Sequence, residues 1–214
     1  MKYKIKNIIF DYGNVIFDID FLKAQESFAK LGVNNIQEIY GHKNQSSVFD
    51  EFDKGAISAG EFRSEIRRLT GHNQLSDQQI DDAWNSLLLG VPAGNHELLL
   101  KIKEQYNTFL LSNNNEIHYQ WIMDYLKNDF GLEDNSSFFT KDYYSHLMGM
   151  RKPDKEIFEI VLNNHQLDPK ETLFIDDSLQ HLKTAQELGL QTYLMTRPDT
   201  LQKYFSANGL LKSL

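Results

Sequence analysis

Residues 8–16 read Ile8-Ile9-Phe10-Asp11-Tyr12-Gly13-Asn14-Val15-Ile16. Three apolar residues lead directly into Asp11, a pattern typical of a strand that is buried on both faces in a parallel sheet. Gly13 and Asn14 then favour a tight turn, and a glycine lets a ligand approach the backbone closely. Open α/β sheets bind their ligands at the carboxyl ends of the strands. The stretch therefore predicts a parallel sheet with Asp11 at its ligand-binding edge.

The length, charge and cysteine content of the chain exclude several classes of protein. The chain has 214 residues, enough for one core or for one domain with a sizeable insertion. Its net charge of -8 argues against nucleic acids and membrane surfaces as partners, because both are polyanionic. Cysteine is absent, which excludes disulfides, thiolate catalysis and cysteine-based zinc sites. No apolar run is long enough to cross a membrane, so we predict a cytoplasmic location.

The order of apolar patterns predicts the architecture. Further strands are expected at residues 108–111, 137–140, 172–175 and 191–195, with helices between them, and this alternation implies a parallel sheet. Residues 18–90 show no strand pattern and contain two capping boxes, at Ser58 and Ser76, that begin helices. The second of these helices is expected to run through Trp84 to Leu89. We therefore predict an α/β, Rossmann-like core of residues 1–17 and 91–214 and a small helical cap of residues 18–90. Hinges are expected near residues 17–20 and 90–94.

Polar signals follow the apolar strands at four places. They are Asp11, the pair Ser112-Asn113, Lys152 before Pro153, and the pair Asp176-Asp177. Pro153 is expected in the first turn of a helix that runs to His165. Each of the four signals has an ordinary structural explanation as a turn residue, a helix cap or an exposed charge. In a doubly wound sheet, however, all four would meet in one crevice. Together they supply a nucleophilic carboxylate, hydroxyl and amide donors, a cation and an acidic pair, which suits phosphoryl transfer through an aspartyl phosphate.

The order of these motifs resembles that of the haloacid dehalogenase-like hydrolases over nearly the whole chain. Residues 11–16 and Gly149-Met150-Arg151-Lys152-Pro153 look most like the sugar-phosphatase branch of that family, which includes bacterial glucose-1-phosphatases. The resemblance implies a phosphoric monoester hydrolase. Its substrate would be a small phosphorylated metabolite, a sugar phosphate in this branch, and its cofactor Mg²⁺.

The resemblance also assigns a metal site. Asp11 would attack phosphorus, and Mg²⁺ would be held by the Asp11 carboxylate, the Gly13 carbonyl oxygen and Asp177. Asp176 would bind the ion through water or orient its hydration shell. Mg²⁺ prefers such oxygen ligands and keeps several waters.

A phosphate site is assigned in the same way. Ser112 and the backbone of Asn113 would hold phosphate oxygens. Lys152 would neutralise charge on both Asp11 and the phosphoryl group, as cations do in other phosphoryl-transfer sites.

The sequence departs from the family at Gly13. Most phosphatases of the family carry a second aspartate there, two residues after the nucleophile, as the general acid and base. Asp18 and Asp20 lie close enough in sequence to be considered as replacements, although Asp20 also fits a helix N-cap. Without such an acid, esters of more acidic alcohols should react best. Hexose 1-phosphates should then be preferred over 6-phosphates.

Two alternatives stay open. A dehalogenase of the same fold also lacks the second aspartate, but it needs no metal and lacks the acidic pair. A catalytically weak member could act as a phospho-ligand binding module. Several other side chains could approach the site, with surface or packing roles as the simpler reading: Lys43, Lys54, Arg63, Arg67 and Arg68 in the cap, the histidines His42, His118, His146 and His181, and the tryptophans Trp84 and Trp121.

Overall fold

The computed structural model describes residues 4–34, 36 and 47–210. Its main feature is a five-stranded parallel sheet, made of β1 (Asn7–Phe10), β4 (Asn107–Ser112), β5 (Lys141–Tyr144), β6 (Thr172–Asp176) and β7 (Gln191–Leu194). The strand order is β5-β4-β1-β6-β7, so β1 is central and pairs with β4 on one side and β6 on the other. This sheet confirms the predicted α/β fold.

Helices of the core flank the sheet on both faces, and further helices lie in the segment between β1 and β4. In the described residues they are α1 (Phe21–Lys30), α2 (Ser47–Asp53), α3 (Ala59–Thr70), α4 (Asp77–Asn85), α5 (Asn95–Lys103), α6 (Glu116–Phe130), α7 (Ser145–Met148), α8 (Lys155–Asn164), α9 (Leu179–Glu187) and α10 (Leu201–Ala207). Ile8 and Phe10 of β1 pack in one core cluster with α5, α6 and α10, whereas Ile9 packs in another with α8 and α9. The strand is therefore buried on both faces, as its unbroken apolar run predicts.

The segment of residues 18–90, which we call the cap segment, contributes α1 to α4. Its helices bury a third cluster that includes Phe28, Phe62 and Trp84, with Ile117 of α6 packed against them. Both capping boxes are formed, at Ser58 and at Ser76. The boundaries of the cap as a separate domain stay a prediction. Lys43 and His42, which the sequence places in the cap, lie outside the described residues.

The prediction that residues 18–90 contain no strand is wrong. Strand β2 (Asp18–Ile19) pairs antiparallel with β3 (Leu88–Gly90) where the cap segment joins the core. The helix predicted up to residue 89 ends at Asn85 instead. The backbone N–H of Asp20 donates to the carbonyl of Leu87, which extends this ribbon by one hydrogen bond. Two residues are too few to give a readable alternation of apolar and polar side chains.

Two predicted bounds in the core are also wrong. The strand predicted at residues 137–140 lies at Lys141–Tyr144, and Phe138 and Phe139 are buried loop residues. Because β5 is an edge strand, it carries polar residues and lacks an apolar run. Pro153, predicted in the first turn of a helix, precedes it: Asp154 is the N-cap residue of α8. No helix within the described ranges has the length and apolar composition needed to cross a membrane.

Candidate active site

A buried lysine joins the ends of the two central strands. Asp11 directly follows β1, and Asp176 is the last residue of β6. The Nζ atom of Lys152 donates to Asp11 Oδ1 at 2.6 Å and to Asp176 Oδ2 at 2.7 Å. Lys152 is fully buried. An ammonium without access to water needs such partners, so this side chain is fixed between the two carboxylates.

A third carboxylate completes an acidic cluster. Oxygen atoms of Asp11, Asp176 and Asp177 lie within 4.8 Å of one another. Burial raises the pKa of Asp11 to about 7, and the two neighbouring carboxylates add to this shift while Lys152 opposes it. Burial would also raise the pKa of Asp176, but Lys152 and then His181 hold it below its usual range. The three carboxylates outnumber the one ammonium, so the cluster carries a net negative charge. Carboxylate oxygens are the ligands that hard divalent cations prefer. These residues fit a divalent cation such as Mg²⁺.

Asn14 holds the third carboxylate in place. Its Nδ2 atom donates to Asp177 Oδ2 at 2.9 Å. The backbone of Asn14 has a φ of 55°, a left-handed conformation that asparagine adopts more readily than most residues. The segment from Asp11 to Asn14 therefore supplies both the candidate nucleophile and the side chain that orients Asp177.

Asn113 contacts Lys152 in a way that the sequence analysis missed. Its Oδ1 atom accepts from the backbone N–H of Lys152 at 2.8 Å, and its Nδ2 atom donates to the Lys152 carbonyl at 2.9 Å. The carboxamide thus pairs with both polar groups of one residue's backbone. Ser112, at the end of β4, is buried and lines the same cavity. The four predicted signals do meet in one place, but Lys152 lies in the loop between α7 and α8 and not at the end of a strand.

His181 is a further site residue that sequence reasoning placed among surface or packing histidines. Its Nδ1 atom lies 3.0 Å from both carboxylate oxygens of Asp176. The backbone N–H of Ser178 also donates to Asp176 Oδ1, at 2.7 Å. The signal available in the sequence was the position of His181 in the first turn of the helix that follows the acidic pair.

A cavity of about 560 Å³ lies between this cluster and the cap segment. Its floor includes Asp11, Ser112 and Asp177, and its other walls include Asp53, Trp84, Asn115, His118, Ile122 and Arg151. Gly13 lines it too, and a Cβ added at Gly13 would lie 2.9 Å from Cδ1 of Ile19. The side chain of Ile19 in β2 therefore occupies the space beside Gly13 where a second aspartate would begin.

The other candidates from the sequence are engaged elsewhere. Asp20 caps α1 by accepting from the N–H of Leu22, and Asp18 pairs with Arg197 at 3.6 Å. The described cap cations have partners away from the cavity: Lys54 with Asp154, Arg63 with Asp81, Arg67 with Asp77, and Arg68 with Glu65. His146 packs on Tyr119, and Trp121 stacks on Tyr125. Among the described residues, neither predicted replacement acid lines this cavity.

The sheet, the insertion and the site together define a hydrolase class. A family model described as haloacid dehalogenase-like hydrolase matches residues 5–189. The chain belongs to this family.

Individual relatives are similar over almost their whole length. The chain is 33% identical over 191 residues to a D-ribitol-5-phosphate phosphatase from Bacteroides thetaiotaomicron, covering 88% of this chain and 91% of that protein. A crystal structure of a wild-type enzyme of the family from the same organism, in complex with magnesium and inorganic phosphate, has a TM-score of 0.84 and 41% identity, covering 94% of this chain and 99% of that one. A predicted family hydrolase from Porphyromonas gingivalis has a TM-score of 0.83 and 31% identity, covering 99% and 100%.

Proposed function

We propose that the protein is a Mg²⁺-dependent phosphatase that hydrolyses the monophosphate ester of a small sugar or sugar alcohol. The observation that carries this proposal is the buried ammonium of Lys152 between Asp11 and Asp176, with Asp177 in the same acidic cluster. Phosphoryl transfer needs a nucleophile, a way to neutralise phosphate charge and fixed donors around the phosphoryl oxygens. This cluster provides one candidate for each.

Three side chains of the chain itself would act on the phosphate. Asp11 attacks phosphorus, so that the alcohol leaves and an aspartyl phosphate forms, which water then hydrolyses to free phosphate. Lys152 keeps Asp11 oriented and balances charge as the phosphoryl group transfers. Ser112 and the Asn113 backbone donate to phosphoryl oxygens. Support for these roles comes from the cavity that Asp11, Ser112 and Asn113 line, and from the contact of the buried Lys152 with Asp11.

The acidic cluster would hold the metal. Asp11, the Gly13 carbonyl and Asp177 are the proposed ligands, and Asp176 would bind through water or orient the hydration shell. When bound, Mg²⁺ supplies Lewis-acid stabilisation of the charge on the phosphoryl oxygens. Asn14 and His181 hold Asp177 and Asp176 in place for this task.

The relatives support the substrate class. The similar protein from Bacteroides thetaiotaomicron acts on D-ribitol 5-phosphate, the phosphate ester of a primary alcohol. A cavity of about 560 Å³ falls within the usual range for small-molecule sites. We therefore place five- and six-carbon polyol and sugar phosphates first. Preference for hexose 1-phosphates over 6-phosphates stays a prediction, as do a cytoplasmic location and the exclusion of nucleic-acid partners.

A panel of esters assayed with Mg²⁺ and with EDTA tests the proposal. D-ribitol 5-phosphate, hexose 1-phosphates, hexose 6-phosphates and p-nitrophenyl phosphate should release phosphate only with the metal. The Asp11→Asn variant should fold normally and lose essentially all turnover. Asp177→Ala should weaken Mg²⁺ binding, measured by calorimetry, far more than Ser178→Ala. Ser178 contributes its backbone N–H to Asp176, which alanine retains.

Each alternative has its own outcome. Metal binding without turnover of any ester would favour a phospho-ligand binding module. Release of halide from 2-haloacids in EDTA would favour the dehalogenase. Near-wild-type turnover by Asp11→Asn would refute the assignment of the nucleophile.

A further inference from the structure

Four polar side chains that line the cavity form a group in contact with one another. Asp53 is the last residue of α2 in the cap segment, and Arg151, Asn115 and His118 come from the core. The Asn115 Nδ2 atom lies 3.2 Å from His118 Nδ1, and His118 Nε2 lies 3.3 Å from the Trp84 carbonyl oxygen. Because Nε2 must donate to a carbonyl, His118 is neutral with its proton on that nitrogen. Asn115 and His118 thus satisfy each other.

Two members of this group are poorly hydrogen-bonded: Arg151, whose buried Nε has no partner among the described atoms, and Asp53. Within the described part of the chain, the Asp53 carboxylate has two contacts, to Asn115 Nδ2 at 3.5 Å and to Arg151 Nη1 at 3.5 Å. Both are longer than a good charge-assisted hydrogen bond, which measures about 2.7–2.9 Å. Arg151 is in closer contact with Asp50, on the preceding turn of α2. The Asp53 side chain is only 20% exposed, so bulk water compensates it poorly.

Another aspartate of the same segment, Asp81, is fully hydrogen-bonded and serves as a comparison. Asp81 accepts from Arg63 Nε at 2.8 Å and from Arg63 Nη2 at 2.7 Å, and its side chain is equally exposed. Asp53 lines the cavity and lacks such a fork. Burial raises the pKa of Asp53 to about 6, with Arg151 opposing the shift, which agrees with a carboxylate short of donors.

We propose that Asp53 is a specificity-determining residue, which accepts a hydrogen bond from a hydroxyl group of the substrate's alcohol portion. The proposal rests on the proposed phosphatase function. A hydroxyl is a neutral donor, so it satisfies the carboxylate without adding charge beside Arg151, which already pairs with Asp50 outside the cavity lining. A second phosphate or a carboxylate at this end would instead lie against Asp53. The substrate class that fits is a monophosphate with a neutral, polyhydroxylated remainder.

The test compares two esters with the same five-carbon chain. D-ribitol 5-phosphate offers hydroxyl groups, whereas n-pentyl phosphate offers none, and both release a primary alcohol. Wild-type protein with Mg²⁺ should prefer the ribitol ester in kcat/KM. Asp53→Asn should lower the ratio of the two kcat/KM values by tenfold or more, because a hydrogen bond to a charged acceptor discriminates strongly. The loss should fall mainly on KM for the ribitol ester.

Asp50→Asn is the matched control. Asp50 also contacts Arg151, but its side chain is 47% exposed, and it is not among the described residues that line the cavity. This variant should leave the ratio within about twofold of wild type. Thermal unfolding of each variant reports whether it folds. If Asp53→Asn does not fold, the wild-type comparison still decides, because equal kcat/KM values for the two esters would overturn the proposal.

The outcomes separate the two claims. Failure of the wild-type protein to hydrolyse either of these esters or any ester of the panel above would defeat the proposed function, and with it this inference. Turnover of both esters, with a ratio that Asp53→Asn leaves unchanged, would overturn the inference alone. An equal fall in the ratio for Asp50→Asn would show that Arg151, and not Asp53, reads the hydroxyl group.

Discussion

At the scale of single residues, the side chain of Asn113 positions Lys152, and kinetics can test this role. Because it pairs with the backbone N–H and carbonyl of Lys152, it sets where the ammonium begins its reach toward Asp11. In Asn113→Asp the carboxylate would face that carbonyl with no donor. We expect kcat for a preferred ester to fall about 10- to 100-fold, since displacement of a catalytic group by about 1 Å can cost about 100-fold. Steady-state kinetics with Mg²⁺ measures it.

Asn107→Asp is the control for a general loss of an amide donor. Asn107 lies at the opposite end of the same strand, where its Nδ2 atom donates to Asn7 Oδ1 at 2.9 Å. Asn107→Asp should lower the free energy of unfolding by about 1 kcal/mol, as much as Asn113→Asp does. Its kcat should stay unchanged. If both variants lower kcat alike, the effect comes from the stability of β4 and not from Lys152.

Gly13 leads to a second prediction at this scale. The Cβ of an introduced residue would approach Ile19 Cδ1 at 2.9 Å, so Gly13→Asp alone should not create a working acid. Combined with Ile19→Ala, the new carboxyl gains space beside Asp11. We expect the double variant to hydrolyse n-pentyl phosphate at least about tenfold faster than Ile19→Ala alone, because general acids contribute roughly 10²–10⁴-fold.

Two controls test whether the gain comes from general-acid catalysis: an ester with an acidic leaving group, and an isosteric variant. p-Nitrophenyl phosphate should gain little from the same change, since its leaving group needs no proton. Gly13→Asn in the Ile19→Ala background has the same shape without the acid. An equal gain in that variant would attribute the effect to altered packing.

The sequence predicted which residues would meet but not how they would be held. Asp11 and Asp176 follow unbroken apolar strands, and the edge where parallel strands end is a property of the fold. The roles of Asn113 and His181 depend on side-chain directions across 39 and 5 residues of chain. A turn and a histidine on an ordinary helix give no periodic pattern from which such contacts can be read. The sequence also could not predict the role of Ile19, because this side chain acts only by filling the space beside Gly13.

At the scale of elements, the β2–β3 ribbon joins the cap segment to the core, and Gly90 ends it. Gly90 has a φ of 117°, and an added Cβ would lie 3.0 Å from the Tyr125 hydroxyl, which accepts from the N–H of Val91 at 3.0 Å. We expect Gly90→Ala to destabilise the protein by more than the about 1 kcal/mol that a positive φ costs alone. It should also raise KM, because the ribbon positions Ile19 beside the cavity. Urea unfolding and kinetics measure the two effects.

Gly131→Ala separates backbone strain from crowding. Gly131 follows α6 with a φ of 67°, and an added Cβ would meet nothing within 4 Å among the described atoms. This variant should cost about 1 kcal/mol and leave KM unchanged. Equal stability losses in both variants would mean that Tyr125 yields to the new methyl group.

Elements were predictable in proportion to their length and burial. The central strands β1, β4 and β6 are apolar and buried, and both capping boxes mark helix starts correctly. The ribbon strands have two and three residues, and β5 has the polar sequence Lys-Asp-Tyr-Tyr. Their pairing is imposed by neighbouring strands and not by local preference, so no local pattern could reveal it.

At the scale of the whole molecule, His118 makes stability depend on pH through the contact between core and cap segment. Burial lowers its pKa to about 3, from 6.5, because an imidazolium between Asn115 and the Trp84 carbonyl would be poorly solvated. Between pH 6.5 and 3 the unfolded chain therefore binds a proton that the folded protein does not. Stability from this group is complete above pH 6.5 and falls by about 1.4 kcal/mol per pH unit below it.

Comparison with His118→Gln isolates this contribution from the other titrating groups. Glutamine stays neutral and can donate to the Trp84 carbonyl, whereas the raised pKa of Asp53 acts with the opposite sign in both proteins. We expect the stability advantage of wild type over His118→Gln to shrink by about 1.6 kcal/mol between pH 6.5 and pH 5. Urea unfolding at a series of pH values measures it. Parallel pH profiles for the two proteins would mean that the folded state admits the proton, and hence that the cap segment leaves its contact with α6 before the protein unfolds.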